Sequence, residues 1–207
     1  MNTESVLENM FAANPDGVTE TLNRASVFIA GCGGLGSNVA NILVRAGVRN
    51  ISMADFDVVC ASNLNRQFFF KAQIGVPKVK ALKDNLLAID PDLQLYELQK
   101  RLCPENFSDY IGRDFDLVFE CFDNAASKAE LTRFMLRERR DTIYVAVSGL
   151  AGIAPVENIR VIRRSKNFIL VGDGGSDADE SGTLASRVIA ASAIQAHCGI
   201  MALLERA

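Results

Sequence analysis

Glycines dominate the first stretch whose residue types and spacing could do chemistry. They follow the pattern G-x-G-G-x-G over 31–36, directly after the apolar run 27–30 and before a segment with the apolar spacing of a helix. Glycine permits a tight turn and lets the backbone approach a ligand, while the first N–H groups of a helix and its positive dipole end attract phosphate. We therefore predict a phosphate-binding turn at this point. Its glycines are Gly31, Gly33, Gly34 and Gly36.

An acidic residue follows the next apolar run at the spacing of a nucleotide site. Asp55 comes directly after the run 51–54, about 20 residues beyond the last glycine, where a carboxylate can accept hydrogen bonds from ribose hydroxyls. Strand, glycine turn, helix and acidic residue together predict a bound nucleotide. The alternative is a plain tight turn between strand and helix.

A polar and cationic set follows the carboxyl ends of successive predicted strands, the region where open α/β sheets bind their ligands. Arg66 and Lys78 are suited to neutralising a triphosphate, and Asp123 is suited to holding a magnesium ion. Taken singly, each could equally form a surface ion pair, and their joint placement favours a site. The full set is Asp57, Asn63, Arg66, Gln67, Lys78, Asp123 and Asn124.

The elements that must position these residues alternate between short apolar runs and helical patterns. This alternation predicts an α/β fold, a Rossmann-like doubly wound sheet that is mostly parallel, with two late strands that are candidates for antiparallel pairing and a C-terminal apolar helix. Strands are predicted at 27–30, 51–54, within 93–98, and at 117–120, 143–147, 159–162 and 168–171. Helices are predicted after the glycine turn up to Gly47 and at 77–89, 125–139 and 186–206.

Length and composition fit one globular domain. The chain has 207 residues, of which 49% are hydrophobic and 23% charged, and its formal net charge is −3. A domain of this size needs no disulfide or metal to hold its core, and the slightly acidic balance makes nucleic acid an unlikely partner. We expect a single nucleotide-binding domain over 1–207, with 1–20 as an N-terminal extension and 172–185 as a mobile loop over a site or partner. An ordinary solvated connector is the alternative for that loop.

Cysteine and histidine usage limits the chemistry further. The five cysteines are odd in number and form no CxxC pair, so we expect no zinc site and a reducing, cytoplasmic setting. The N-terminus carries Glu4 and Glu8 without a basic segment, which argues against an ordinary secretory signal. The apolar run 188–204 is interpreted as a buried helix rather than a membrane segment, and the single histidine, His197, as a packed core residue of that helix.

Several ordered motifs resemble the superfamily of E1-type adenylyltransferases, which includes ThiF, MoeB and the ubiquitin-activating enzymes. They read GCGGLGSNVANILVRAGV, ADFDVVCASNLNRQ, GVPKVKAL and ECFDNAASKAEL. The later motifs SGLAGIAPVENI, VGDGG and SRVIAASAIQAHCGIMALL are most similar to a short ThiF-like branch of thiamine biosynthesis. The resemblance covers roughly 20–205.

The resemblance implies that ATP lies on the glycine turn with its ribose on Asp55. It implies roles in phosphate and magnesium handling for Arg66, Lys78 and Asp123, which would be the catalytic residues, with Asn63 and Gln67 on the same phosphate-side loop. The implied reaction is adenylyl transfer to the C-terminal Gly-Gly carboxylate of a ThiS-like, ubiquitin-fold sulfur carrier. A homodimer is implied as well.

The chain departs from the pattern of its relatives at three points. The CxxC pairs that bind zinc in many relatives are missing, and 172–185 has no cysteine, which puts sulfur transfer by this chain in doubt. Cys60, in the loop after Asp57, is the best remaining candidate for a catalytic thiol. The arginine that relatives supply across the dimer has only Arg24 as a counterpart within the first 44 residues.

Other functions remain open at the sequence level. Within the superfamily, the chain could activate another carrier or a carboxylate on modified tRNA, which a basic surface would favour. From other classes, it could be an oxidoreductase that binds NAD or a nucleotide-binding module without catalysis. The loop containing Arg66 argues against the oxidoreductase, and Arg66, Lys78 and Asp123 together argue against the inactive module.

Overall fold

The computed structural model describes residues 10–112, 114–176 and 178–206. Residues 1–9, which hold Glu4, Glu8 and about half of the expected N-terminal extension, lie outside the described residues. So do Arg113, Ala207 and, within the expected mobile loop, Asp177.

A seven-stranded sheet forms the centre of the molecule, in the strand order β3-β2-β1-β4-β5-β7-β6. Neighbouring strands are parallel except for β6, which runs antiparallel to β7. The Rossmann-like prediction is therefore confirmed, including the antiparallel pair at the end. The strands are β1 (Ser26–Ala30), β2 (Asn50–Ala54), β3 (Gln94–Leu98), β4 (Leu117–Glu120), β5 (Ile143–Val147), β6 (Arg160–Arg163) and β7 (Phe168–Gly172).

Helices cover both faces of the sheet, because the central strands β4 and β5 are buried along their whole length and must be shielded on both sides. Two hydrophobic clusters result, one on each face. The helices are α1 (Val18–Arg24), α2 (Gly34–Ala46), α3 (Lys78–Leu87), α4 (Phe107–Ile111), α5 (Ala125–Glu138), α6 (Ala178–Ser181) and α7 (Ala185–Leu204), with 3-10 turns at Ala61–Asn63, Lys71–Gln73 and Val156–Asn158.

The C-terminal helix α7 packs against α2 and the strands β4, β5 and β7. Among the described residues it is the one helix long and apolar enough to cross a membrane, yet 56% of its most apolar window is buried inside the protein. Gln195 is fully buried in it and donates hydrogen bonds to the carbonyls of Glu120 and Val145. These contacts are those of a core helix.

The prediction for His197 was wrong, because this side chain is exposed. It belongs to a row of exposed residues spaced four apart along α7 that faces away from the sheet, namely Ile189, Ala193, His197 and Met201. Because the helix is apolar on nearly every side, its sequence does not indicate which side is exposed to solvent. Packing against the sheet, rather than the sequence pattern, decides which side is buried.

Candidate functional site

A large cleft opens between β1 and β4, where the strand order reverses direction. Consecutive crossovers leave to opposite sides of the sheet at such a point, so the carboxyl ends of the two strands form a crevice. The cleft has a volume of about 1010 Å³. It is bordered by the glycine turn, the ends of β2, β4 and β5, and the loop after β7.

The glycine turn has its shape because two of its positions leave no room for a side chain. Gly31 has a positive φ of 98°, and its N–H donates to the carbonyl of Ala54 at 2.8 Å. A Cβ at Gly31 would lie 2.8 Å from the carbonyl oxygen of Cys121, and one at Gly36 only 1.8 Å from that of Gly31. The turn therefore folds onto β4 and onto its own helix.

Two polar residues that the sequence reasoning missed attach the following loop to this turn. The Ser37 hydroxyl donates to the Gly33 carbonyl at 2.6 Å and accepts the Phe68 N–H at 3.0 Å. The Asn38 amide donates to the carbonyls of Gly34 at 2.6 Å and Arg66 at 2.8 Å. Both lie on the buried face of α2. Two polar residues at positions that are otherwise apolar are the sequence feature that could have indicated these hydrogen bonds.

Asp55 lies in the cleft at the end of β2, as predicted, and its carboxylate also organises the backbone. It accepts the N–H of Cys32 at 2.7 Å and the N–H of Asp57 at 2.8 Å, one on each oxygen. Each carboxylate oxygen can accept further hydrogen bonds. Asp55 can therefore fix the glycine turn and still accept hydrogen bonds from a ligand.

Lys78, the first residue of α3, is only 6% exposed and forms an ion pair with Asp57 at 2.7 Å. A buried ammonium group needs such a counterion, because its transfer from water is otherwise costly. The Lys78 N–H also donates to the Asp57 carbonyl at 2.9 Å, which ties the helix start to the loop after β2. Two of the three ammonium donors remain for other acceptors.

The loop after β2 carries Arg66 and Gln67, which line the cleft and differ in their exposure to solvent. Arg66 is partly exposed; it donates to the Ser62 carbonyl and the Asn65 side chain and forms no ion pair with a described residue. Gln67 is 9% exposed and its Oε1 has no hydrogen-bond partner there. Asn63 accepts the Cys60 N–H at 2.9 Å and so shapes the turn, and it does not line the cleft.

Asp123 and Asn124 stand at the opposite wall, after β4. Asn124 caps α5, its side chain accepting the N–H groups of Ala126 and Ser127 at 2.9 and 3.1 Å. Asp123 is exposed to the cleft and has no hydrogen-bond or ion-pair partner among the described residues. Those residues contain no group of three metal-ligating side chains. A lone carboxylate fits a magnesium ion that takes its other ligands from phosphate and water.

The cleft is basic, although the chain as a whole is acidic. Its lining holds five cations and three carboxylates within the described residues. Lys100, Arg101 and Lys128 are cations that the sequence reasoning did not single out, and the Arg101 guanidinium lies 4.3 Å from the ring centre of Phe56. This net positive charge favours an anionic ligand such as a polyphosphate.

A buried ion pair at the end of β4 was also missed. Glu120 is fully buried and accepts the Lys128 ammonium at 2.9 and 3.2 Å, the N–H of Phe122 at 2.7 Å and the N–H of Val147 at 3.3 Å. The pair thereby links the ends of β4 and β5 to the first turn of α5. The sequence feature that could have indicated this ion pair is a glutamate at the end of an otherwise apolar strand.

The loop after β7 closes the remaining side of the cleft. Asp173 accepts the N–H groups of Gly175 and Ser176, and its ion pair with Arg187 has a separation of 2.6 Å. Burial raises the pKa of Asp173, but these hydrogen bonds and the Arg187 contact outweigh it and lower the pKa to about 2. Ser176 in turn accepts the Ala151 N–H at 2.8 Å. The mobility expected for this loop stays a prediction.

The cysteines differ in their surroundings. Cys32 lies within the glycine turn and Cys121 beside it, both are buried, and burial raises the pKa of both thiols. Cys60 is exposed, but it is not among the residues that line the cleft. Arg24 is the last residue of α1 and lies at the amino end of β1, whereas the glycine turn follows the carboxyl end of that strand.

Fold and cleft together define a class: a Rossmann-like domain with a nucleotide-type glycine turn and a cleft suited to a polyphosphate. The chain belongs to the ThiF family, whose model matches residues 7–205. The resemblance to the E1-type adenylyltransferases noted in the sequence is thereby confirmed.

Curated relatives carry two kinds of name. The chain is 36% identical over 138 residues to the sulfur carrier protein ThiS adenylyltransferase of Escherichia coli, a match covering 66% of the chain and 54% of that protein. It is 30% identical over 155 residues to the tRNA threonylcarbamoyladenosine dehydratase of Haemophilus influenzae, covering 74% of the chain and 58% of that protein. The chain thus spans a little over half the length of both relatives.

Solved structures share the fold at low identity. Escherichia coli tRNA N6-threonylcarbamoyladenosine dehydratase, TcdA, in complex with ATP, superposes with a TM-score of 0.88 at 18% identity, over 100% of this chain and 98% of that one. Escherichia coli MccB with AMPCPP and MccA superposes with a TM-score of 0.72 at 21% identity, over 100% and 64%.

Proposed function

We propose that the chain is an ATP-dependent adenylyltransferase that activates the C-terminal Gly-Gly carboxylate of a ThiS-like sulfur carrier in thiamine thiazole biosynthesis. The products are the carrier acyl-adenylate and pyrophosphate. The observation that carries this proposal is a net positive cleft between a phosphate-type glycine turn and a wall that contains three further glycines.

The nucleotide half of the cleft suits ATP. Gly33 and Gly34 leave backbone exposed at the start of α2, where N–H groups and the helix dipole attract phosphate. Asp55 has spare acceptor capacity for ribose hydroxyls. Arg66 and Lys78 supply charge against the triphosphate, and a magnesium ion held by Asp123 would supply further charge neutralisation at the phosphates.

The chemistry needs no nucleophile from the protein. The carrier carboxylate is ionised at neutral pH, and one of its oxygens attacks the α-phosphorus of ATP while the bond from that phosphorus to the bridging oxygen of pyrophosphate breaks. The protein contributes position and electrostatic stabilisation. Replacing Lys78 by methionine should therefore lower the rate about a hundredfold, which corresponds to about 3 kcal/mol.

The second-substrate half suits an extended tail without side chains. Three glycines are among the residues that line it, namely Gly149, Gly174 and Gly175, and we call this part of the cleft the glycine wall. A Cβ added at Gly174 or Gly175 would have no heavy atom within 4 Å, so the backbone is open to the cleft at these two positions. A Gly-Gly terminus can run along such a wall. The name of the Escherichia coli relative, a ThiS adenylyltransferase, supports the same substrate class. We also propose a homodimer and a cytoplasmic location.

A second candidate is activation of a carboxylate on modified tRNA. A cluster of exposed cations favours it: Arg140, Arg164, Lys166 and Arg206 surround Asn167, whose side chain donates to the Arg140 carbonyl and accepts from Arg206. The names of the dehydratase relatives point the same way. However, this cluster lies at the amino ends of β5 and β7, whereas the cleft lies at the carboxyl ends of the strands. Because the cluster is far from the reacting groups, activation of a tRNA carboxylate is the weaker candidate.

The test is ATP–pyrophosphate exchange with the purified chain, a ThiS-type carrier ending in Gly-Gly, and unfractionated tRNA in a parallel reaction. Exchange that requires the carrier supports the first candidate, and exchange or adenylation that requires tRNA supports the second. Absence of both, with ATP binding unchanged in Asp123→Ala, would contradict the adenylyltransferase function.

A further inference from the structure

We propose that Lys128, held in place by the buried Glu120, contacts the carboxylate of the second substrate and selects for its negative charge. This inference deepens the proposed function and rests on it. It follows from how the cations of the cleft are distributed between its two walls.

The cations divide according to the strands that carry them. Arg66 comes from the loop after β2, Lys78 begins α3, and Lys100 and Arg101 follow β3, so all four belong to the side of β1 where Asp55 lies. Lys128 is the one cation in the described lining of the other side. It lies in the first turn of α5, five residues after Asp123.

The local bonding fixes Lys128 without saturating it. Its ammonium group bonds both oxygens of Glu120, while its side chain remains 22% exposed and lines the cleft. No acceptor other than Glu120 occurs for it among the described residues, so one of its three donors remains for a ligand. Glu120 also accepts the N–H of Val147, the last residue of β5, which connects the cation to the base of the glycine wall.

This arrangement addresses a physical problem of the reaction. A carboxylate that approaches a triphosphate is repelled, and the four cations on the β1 side are placed to neutralise phosphate. A fixed ammonium on the opposite side can bind the carboxylate oxygen that does not attack, and so orient the other oxygen toward the α-phosphorus. Glu120 is then a positioning residue, because it acts through Lys128.

The decisive experiment compares two forms of one ThiS-type carrier, with the natural C-terminal carboxylate and with a C-terminal carboxamide. Binding of each is measured by titration calorimetry to the whole chain loaded with a non-hydrolysable ATP analogue. We expect the wild type to prefer the carboxylate form by at least about tenfold, and Lys128→Met to reduce that preference to less than about threefold, with ATP affinity unchanged. Lys128→Arg should keep most of the preference.

Two controls keep the result interpretable. Lys100→Met removes a cation from the other wall and should leave the carboxylate preference intact. Because Lys128→Met leaves Glu120 buried without a partner, the double variant Glu120→Gln with Lys128→Met removes both charges and should fold while still lacking the preference.

The outcomes separate this inference from the proposed function. A wild type that binds neither form of the carrier overturns the proposed function. A wild type that prefers the carboxylate, together with a Lys128→Met variant and a double variant that prefer it equally, overturns the role of Lys128 alone.

Discussion

A single methyl group added at Gly36 should deform the glycine turn. The Cβ of Gly36→Ala would lie 1.8 Å from the carbonyl oxygen of Gly31 and 2.9 Å from its carbonyl carbon. An unstrained carbon–oxygen contact is about 3.3 Å, so the two segments must separate by roughly 1.5 Å. Gly31 resists this movement, since its N–H is bonded to Ala54 and its φ is 98°.

The expected cost follows from two opposing effects. Overpacking against backbone costs about 3 kcal/mol, the upper part of the range for added core atoms, and alanine regains about 1 kcal/mol over glycine in a helix. We therefore expect the free energy of unfolding of Gly36→Ala to fall by about 2 kcal/mol, together with at least tenfold weaker ATP binding. Urea unfolding followed by circular dichroism, and calorimetric ATP titration, give the two quantities.

Gly33→Ala is the matched control. At this position the nearest heavy atom to an added Cβ is 4.0 Å away, so alanine meets no steric overlap, although the backbone at φ −81° and ψ −146° lies outside the regions that alanine prefers. The free energy of unfolding should fall by about 1 kcal/mol through backbone strain alone, less than in Gly36→Ala, while ATP binding weakens because the Cβ would occupy the cleft beside the phosphates. If Gly36→Ala proves as stable as the wild type, the packing argument for the turn is refuted.

Three further predictions concern the loop after β7, the core and the metal. Asp173 has a pKa of about 2, below the usual 3.9, so its contribution to stability is present above pH 4 and lost as the pH falls toward 2. The difference in unfolding free energy between wild type and Asp173→Asn should accordingly shrink by about 0.5 to 1 kcal/mol between pH 5 and pH 3, allowing for solvent screening, and a difference that does not depend on pH would contradict this. In Gly199→Ala the new Cβ would meet the Phe119 ring at 2.5 Å, so we expect urea unfolding to show about 1 to 3 kcal/mol of lost stability, and no loss would mean that the packing of α7 on β4 is looser than described. Asp123→Asn should reduce pyrophosphate exchange at least about tenfold and raise the magnesium concentration needed for half-maximal rate, and an unchanged magnesium dependence would remove the metal role.

The sequence was sufficient for features that depend on local pattern. The strand–glycine–helix unit was predicted correctly, because a short apolar run followed by closely spaced glycines has few other structural solutions. Asp55, Lys78 and Asp123 were placed at the cleft because parallel strands bring their carboxyl ends to one edge. Residue spacing alone carries that information.

Features set by long-range contact could not be predicted in the same way. The sequence did not reveal that β7 inserts between β5 and β6, since strand pairing depends on the whole sheet. It did not reveal the Glu120–Lys128 pair either, because a glutamate that ends an apolar strand looks the same whether it faces water or a buried lysine. His197 was misassigned for a related reason: an apolar helix does not show in its sequence which face meets the sheet.

In the proposed reaction this cleft joins AMP to the terminal carboxylate of a Gly-Gly carrier. The product can be detected by intact-protein mass spectrometry of a ThiS-type carrier after incubation with the chain, ATP and magnesium. We expect a carrier whose mass has increased by one adenylyl group, in step with pyrophosphate release and in amounts greatly reduced by Lys78→Met. A carrier that stays unmodified while the chain binds ATP, or an adenylyl group found on tRNA instead, would contradict it.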